Sequence, residues 1–176
     1  GKMQRNVGKI WDGIRKLWLA SQTQMSHRRW GRFEYLTATR RQECIQHAYS
    51  MVILAPYLLQ RLQNYIVRPL DAGLYMTAVA VHDLGEGMRG MDVPFLDKKD
   101  KNDRAEYLAF CELCQGLQKE SAHFERAFLL QFCLKNPKCF SSHAREIMAQ
   151  LQETHRYEAL LFQGQEQWDY VLYAQE

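Results

Sequence analysis

The run from Leu74 to Val81, Leu-Tyr-Met-Thr-Ala-Val-Ala-Val, constrains this chain more than any other stretch. It follows Asp71, a residue type that caps helices by accepting a hydrogen bond from the first turn. A helix over 72–85 is therefore expected, apolar on nearly every side. Such a helix is stable in water only when neighbours cover it, which places it at the centre of the domain.

The remaining periodicity is helical too. Ile10, Trp11, Ile14, Leu17 and Trp18 recur at spacings of three and four, giving a helix over about 8–20. Ile45, Ala48, Tyr49, Val52 and Ile53, then Leu58, Leu59 and Leu62, give another over about 43–64, in which Pro56 starts a new turn or a kink. Amphipathic patterns over about 103–117, 122–134, 141–152 and 165–176 complete the set, with "KNPK" (135–138) as a turn. No strand pattern, internal repeat or low-complexity tract interrupts them. At 176 residues the chain is expected to be one all-α domain. Gly1-Lys2-Met3 reads as a scar ahead of a natural start, so the domain is taken as 4–176.

The net charge of +3 does not indicate nucleic-acid binding, but the basic residues are clustered. Arg28, Arg29, Arg32, Arg40 and Arg41 form one group, and Lys98, Lys99, Lys101 and Arg104 another. They are either solvated faces or the two sides of an anion site. Five cysteines, an odd number without a secretory signal, suggest reduced thiols in a cytoplasmic protein. Cys111 and Cys114 form a lone CxxC without a second pair, which favours packing over zinc. No apolar run reaches the roughly 18 residues of a membrane span. The amphipathic 8–20 helix, with Trp11 and Trp18, suits the core or a surface between copies, and a homo-oligomer is expected.

The central helix ends in an oddity: "VAVHDLGEGMRGMDVPF" (79–95) sets His82 beside Asp83 in an apolar context. On a helix, Glu86 lies at i+4 and i+3 from this pair and projects from the same side. Imidazole and carboxylate together in an apolar segment are costly unless compensated, and a divalent cation compensates both. His47 stands on another predominantly apolar helix. One histidine on an apolar face is usually a satisfied core residue; two, with an Asp adjacent, favour a metal. His123, His143 and His155 lie among polar residues and are expected at the surface.

Four runs carry a family resemblance: "RRQECIQHA" (40–48), "HDLGE" (82–86), "GMDVP" (90–94) and "EALLFQGQEQWDYVLYA" (158–174). Together they resemble the HD-domain metal-dependent phosphohydrolases over about residues 28–176, in particular small bacterial 5'-deoxynucleotidases and phage dATP triphosphohydrolases. The resemblance implies a compact HD-type helical bundle. His47, His82 and Asp83 match the family's metal ligands. With Glu158-Ala159 and Trp168-Asp169 aligned, the final ligand Asp falls on Glu166, and Asp169, three residues on, is the reserve. Glu86 matches the carboxylate that positions or deprotonates the attacking water. Asp92 matches an Asp that assists at the phosphate, with Met91 as an extra residue in its loop. Arg29 and Trp30 resemble a nucleotide-contacting Arg-Trp pair, at a spacing from His47 about three residues longer than the family's.

The residue types suit that chemistry. A metal held by imidazoles and carboxylates keeps open positions, activates a bound water and polarises a phosphoryl oxygen. Mixed nitrogen and oxygen ligands favour Mn, Co, Zn or Fe, one per chain. Arg40, Arg41 and Lys98 would offset phosphate charge, and Trp30 would stack on a base. The expected activity is hydrolysis of a small-molecule (deoxy)nucleotide, as a dNTP triphosphohydrolase or as a 5'-deoxynucleotidase acting on dNMPs. Glu166 in place of Asp also admits a degenerate domain that binds nucleotide without turnover. A purely structural domain whose histidines pack is the remaining alternative.

Overall fold

The computed structural model describes residues 44–85 and 100–175, together with helical positions scattered between 8 and 20. Among the described residues every regular element is helical and there is no strand. The result is a compact all-α bundle, built around the helix expected at its centre. None of the described helices is long and apolar enough to cross a membrane.

Helix α1 spans Cys44–Gln63 and carries Pro56 without ending there. Pro56 lies on its exposed side, where water can satisfy the carbonyl that the missing N–H leaves free. Helix α2 spans Ala72–Val81, capped by Asp71, whose Oδ1 accepts from the Leu74 N–H at 3.0 Å. It packs against α1 and against helix α4 (Ser121–Leu130), and touches helix α6 (Arg156–Gln175). Leu74, Tyr75, Ala78 and Val79 are buried, yet Ala72, Gly73 and Ala80 are exposed. The helix is therefore central but not enclosed on all sides; small residues form its outward strip.

The regular helix also stops earlier than expected. His82 is the C-cap of α2, a turn follows, and helical conformation resumes at Leu84–Gly85. Gly85 is held there by contact with helix α3 (Asp100–Cys114), because a Cβ at Gly85 would sit 2.3 Å from the Glu106 carbonyl oxygen. Only glycine permits that approach. A short 3₁₀ turn at Gln118–Glu120 leads into α4, and the stacked rings of Phe110 and Phe128, 4.3 Å apart, join α3 to α4. Helix α5 (Ser142–Thr154) starts at Ser141, whose hydroxyl accepts from the Ala144 N–H.

Helix α6 begins at Arg156, well before the expected start near 165. Its first turn is tied down by Glu158, a fully buried carboxylate. Glu158 accepts from both terminal nitrogens of Arg68, at 2.6 and 3.3 Å, and from the Asp71 N–H at 2.9 Å. Burial alone would raise its pKa; Arg68 and the Asp71 N–H outweigh this and hold it below the ordinary glutamate value. The start of α6 is thereby fixed to the start of α2.

Candidate metal centre

At the other end of α2, three helices deliver four acceptor groups to one place. His47 comes from α1, His82 and Asp83 from the end of α2, and Glu166 from α6. One ligand atom of each lies within 4.8 Å of all the others, a group that could hold a metal ion. The histidines are buried, with Asp83 and Glu166 partly exposed. Sequence separations of 35 residues between the histidines and of more than twice that to Glu166 make this a product of helix packing.

The orientation of the rings defines the chemistry. His82 Nδ1 faces the Val79 carbonyl at 2.9 Å, one turn back in its own helix. His47 Nδ1 makes a short contact with Asp169 Oδ2. A ring nitrogen opposite an acceptor carries the proton, so each neutral ring turns its lone pair to Nε2. Those two Nε2 atoms face each other at 3.2 Å. Asp83 Oδ2 lies 3.2 Å from one and 3.5 Å from the other, and Glu166 Oε1 lies 3.7 Å from His82 Nε2. Lone pairs and carboxylate oxygens crowded in this way repel one another unless a cation lies among them.

A proton can fill that part. Burial alone would lower the His82 pKa, but Asp83 and then Glu166 overcome it and raise the group to about 9. The surroundings hold the ring in place. His82 meets Phe162 edge to face at 5.2 Å, and its carbonyl accepts from the Gln131 side-chain amide at 3.1 Å.

All four residues expected as metal ligands are thus brought together. Asp169, the reserve ligand, stands instead behind His47, with Ser50 Oγ donating to its Oδ1 at 2.6 Å. Neither Ser50 nor Gln131 was singled out by the sequence; the one available signal was Ser50 at i+3 from His47. Glu86, Asp92, Arg29, Trp30, Arg40, Arg41 and Lys98 lie outside the described residues.

Of the other histidines, His123 is exposed beside Thr77, and the His143 side chain is 69% exposed beside Glu125. His155 departs from its expected surface position: its side chain is 13% exposed, tucked against Asp71 at 3.0 Å. Cys114 is buried, which raises its thiol to about 12, and half-buried Cys111 is raised for the same reason. Both are protonated packing groups near neutrality, as the lone CxxC suggests.

Compared with known proteins, the chain matches no family model, no curated protein and no solved structure. The chemistry of the site therefore rests on its own residues.

Proposed function

We propose that the protein is a divalent-metal-dependent phosphohydrolase acting on (deoxy)nucleotides. The metal half of this reading is carried by one observation: the paired Nε2 atoms of His47 and His82, 3.2 Å apart and flanked by two carboxylates. Two imidazoles and two carboxylates suit Mn, Fe, Co or Zn better than Mg or Ca. When bound, such an ion would supply Lewis acidity toward a phosphoryl oxygen and a water activated near neutral pH. His47, His82, Asp83 and Glu166 would hold it. Glu166 is the most exposed of the four side chains, at 30% against 13% or less. The open side of the site is therefore placed next to it.

The phosphate half is supported by the resemblance of "HDLGE" and "GMDVP" to HD-domain phosphohydrolases and by the two basic groups in the chain. In this reading Glu86, directly after the anchored Gly85, accepts a proton from the attacking water. Asp92 assists at the phosphate, and Arg29, Arg40, Arg41 and Lys98 offset its charge, the arginines by two-pronged contacts. Trp30 stacks on the base.

Purified protein loaded with Mn or Co and incubated with a panel of dNTPs, dNDPs and dNMPs tests the proposal. Deoxyadenosine plus triphosphate from dATP identifies a triphosphohydrolase, and phosphate from a dNMP a 5'-nucleotidase. If no substrate releases phosphate, pyrophosphate or triphosphate, the enzymatic reading fails, and nucleotide binding without turnover would indicate a degenerate domain.

A further inference from the structure

Asp169 is a carboxylate with a side chain only 7% exposed, already next to a site crowded with acceptors. A third carboxylate there, itself buried, adds to the repulsion, so its presence calls for a role that outweighs the cost. Its neighbours suggest one. Its Oδ2 meets His47 Nδ1, on the side of the ring opposite the cluster. Its Oδ1 lies 2.6 Å from Ser50 Oγ and accepts that hydroxyl's single proton, while the same Oγ lies 3.0 Å from the His47 carbonyl, its alternative acceptor.

The pattern is symmetrical between the two helices. On α1, His47 and Ser50 are one turn apart; on α6, Glu166 and Asp169 are one turn apart. Each helix thus presents one residue to the cluster and one to the support behind it. His82 is supported differently, by a backbone carbonyl that its own helix fixes. His47 has a side-chain acceptor in that role, which a mutation can remove.

We propose that Asp169 is a positioning residue for the metal centre: aligned by Ser50, it holds the Nδ1 proton of His47 and so fixes the tautomer and ring orientation that offer Nε2 to the cation. The inference rests on the metal-binding part of the proposed function. It assigns to Asp169 a place outside the ligand set, and to Ser50 the task of keeping the carboxylate in line.

Co(II) titration of the full chain, followed by visible absorption and by circular dichroism as a check on folding, tests it. Asp169→Ala is expected to weaken Co(II) binding about 10–100-fold, the usual effect of removing an outer-shell partner, while band positions and intensities stay those of the wild type. Ser50→Ala should weaken binding in the same direction by less. Glu166→Ala, which removes a ligand, should change the spectrum itself. Equal affinity in Asp169→Ala and wild type would overturn the inference and leave metal binding intact. A spectral change in Asp169→Ala like that of Glu166→Ala would overturn it by making Asp169 a ligand. Absence of Co(II) binding in the wild type would instead remove the metal reading, and this inference with it. Should Asp169→Ala not fold, Asp169→Asn decides by the same readings: its amide oxygen is a neutral acceptor, so weaker binding with an unchanged spectrum supports the role.

Discussion

Helix α6 carries three carboxylates, Glu158, Glu166 and Asp169, and its two ends treat them in opposite ways. Near its start, Glu158 is met by a guanidinium fork and a backbone N–H, so its charge is matched by a full positive charge. Near its end, Glu166 joins Asp83 around two imidazoles, whose Nδ1 atoms face Asp169 and the Val79 carbonyl. The first arrangement is complete as it stands and fastens α6 to α2. The second has an excess of acceptors, which a proton on His82 or a bound metal ion balances. Buried acid on one helix thus separates into a structural lock and a binding site according to what faces it.

The sharpest way to break this comparison is to remove a donor from the excess. His82→Ala is expected to lower metal affinity at least about 100-fold, the upper end of what an outer-shell partner costs, because a direct ligand is lost. Elemental analysis should show about one metal per wild-type chain and almost none in the variant, with helical content unchanged. Retained stoichiometric metal in His82→Ala would show that the cluster is not the site.

The lock should respond in stability instead. Arg68→Ala leaves Glu158 buried without its guanidinium and should cost about 2–3 kcal/mol in denaturant unfolding, below the full range for a buried pair because Arg68 is partly in solvent. Metal affinity should be unaffected. A variant that lost metal without losing stability would reverse the assignment of the two regions.

A pH series gives the gentlest contrast, with the two ends of the bundle responding at opposite extremes. The His82 pKa is raised from 6.5 to about 9 in the fold. Its contribution to the metal-free protein is present in full below 6.5 and is lost as pH rises through about 9. Glu158 is lowered, so its contribution is present above the ordinary glutamate pKa and is lost as pH falls through its depressed value. Thermal unfolding in chelator should therefore decline on both flanks. The alkaline decline should disappear in His82→Ala, and its persistence there would move the responsible proton elsewhere.

Much of this was legible in the sequence, for identifiable reasons. Asp71 announced the start of α2 through its side chain, and the spacing of three and four marked α1 and α5. Helix α6 was placed too late, beyond Gly164. That glycine is exposed, a Cβ there would meet nothing, and the helix runs through it at a cost of about 1 kcal/mol relative to alanine. Such a residue weakens the local signal without ending the helix, because packing of Ala159, Phe162 and Gln165 on either side decides the matter. His47, His82 and Asp83 were expected at a metal from their apolar context as well as from family resemblance, Glu166 from resemblance alone, and the fold brings the four together. The place of Asp169 was not legible: a spacing of 122 residues from His47 carries no periodic signal, and Glu166 or Asp169 could equally have faced inward until the rotation of α6 was known.

The distribution of the cluster along the chain has a consequence for synthesis. A ribosome that has passed Asp83 has made both histidines and their adjacent acid, but nothing that closes the site. Closure would wait for Glu166 and for the support of Asp169, both on α6. Metal occupancy would thus report that translation has reached α6 and that α6 has docked. A chain cut short before that helix would lack Glu166 and Asp169, and with them any stability that a bound ion would add.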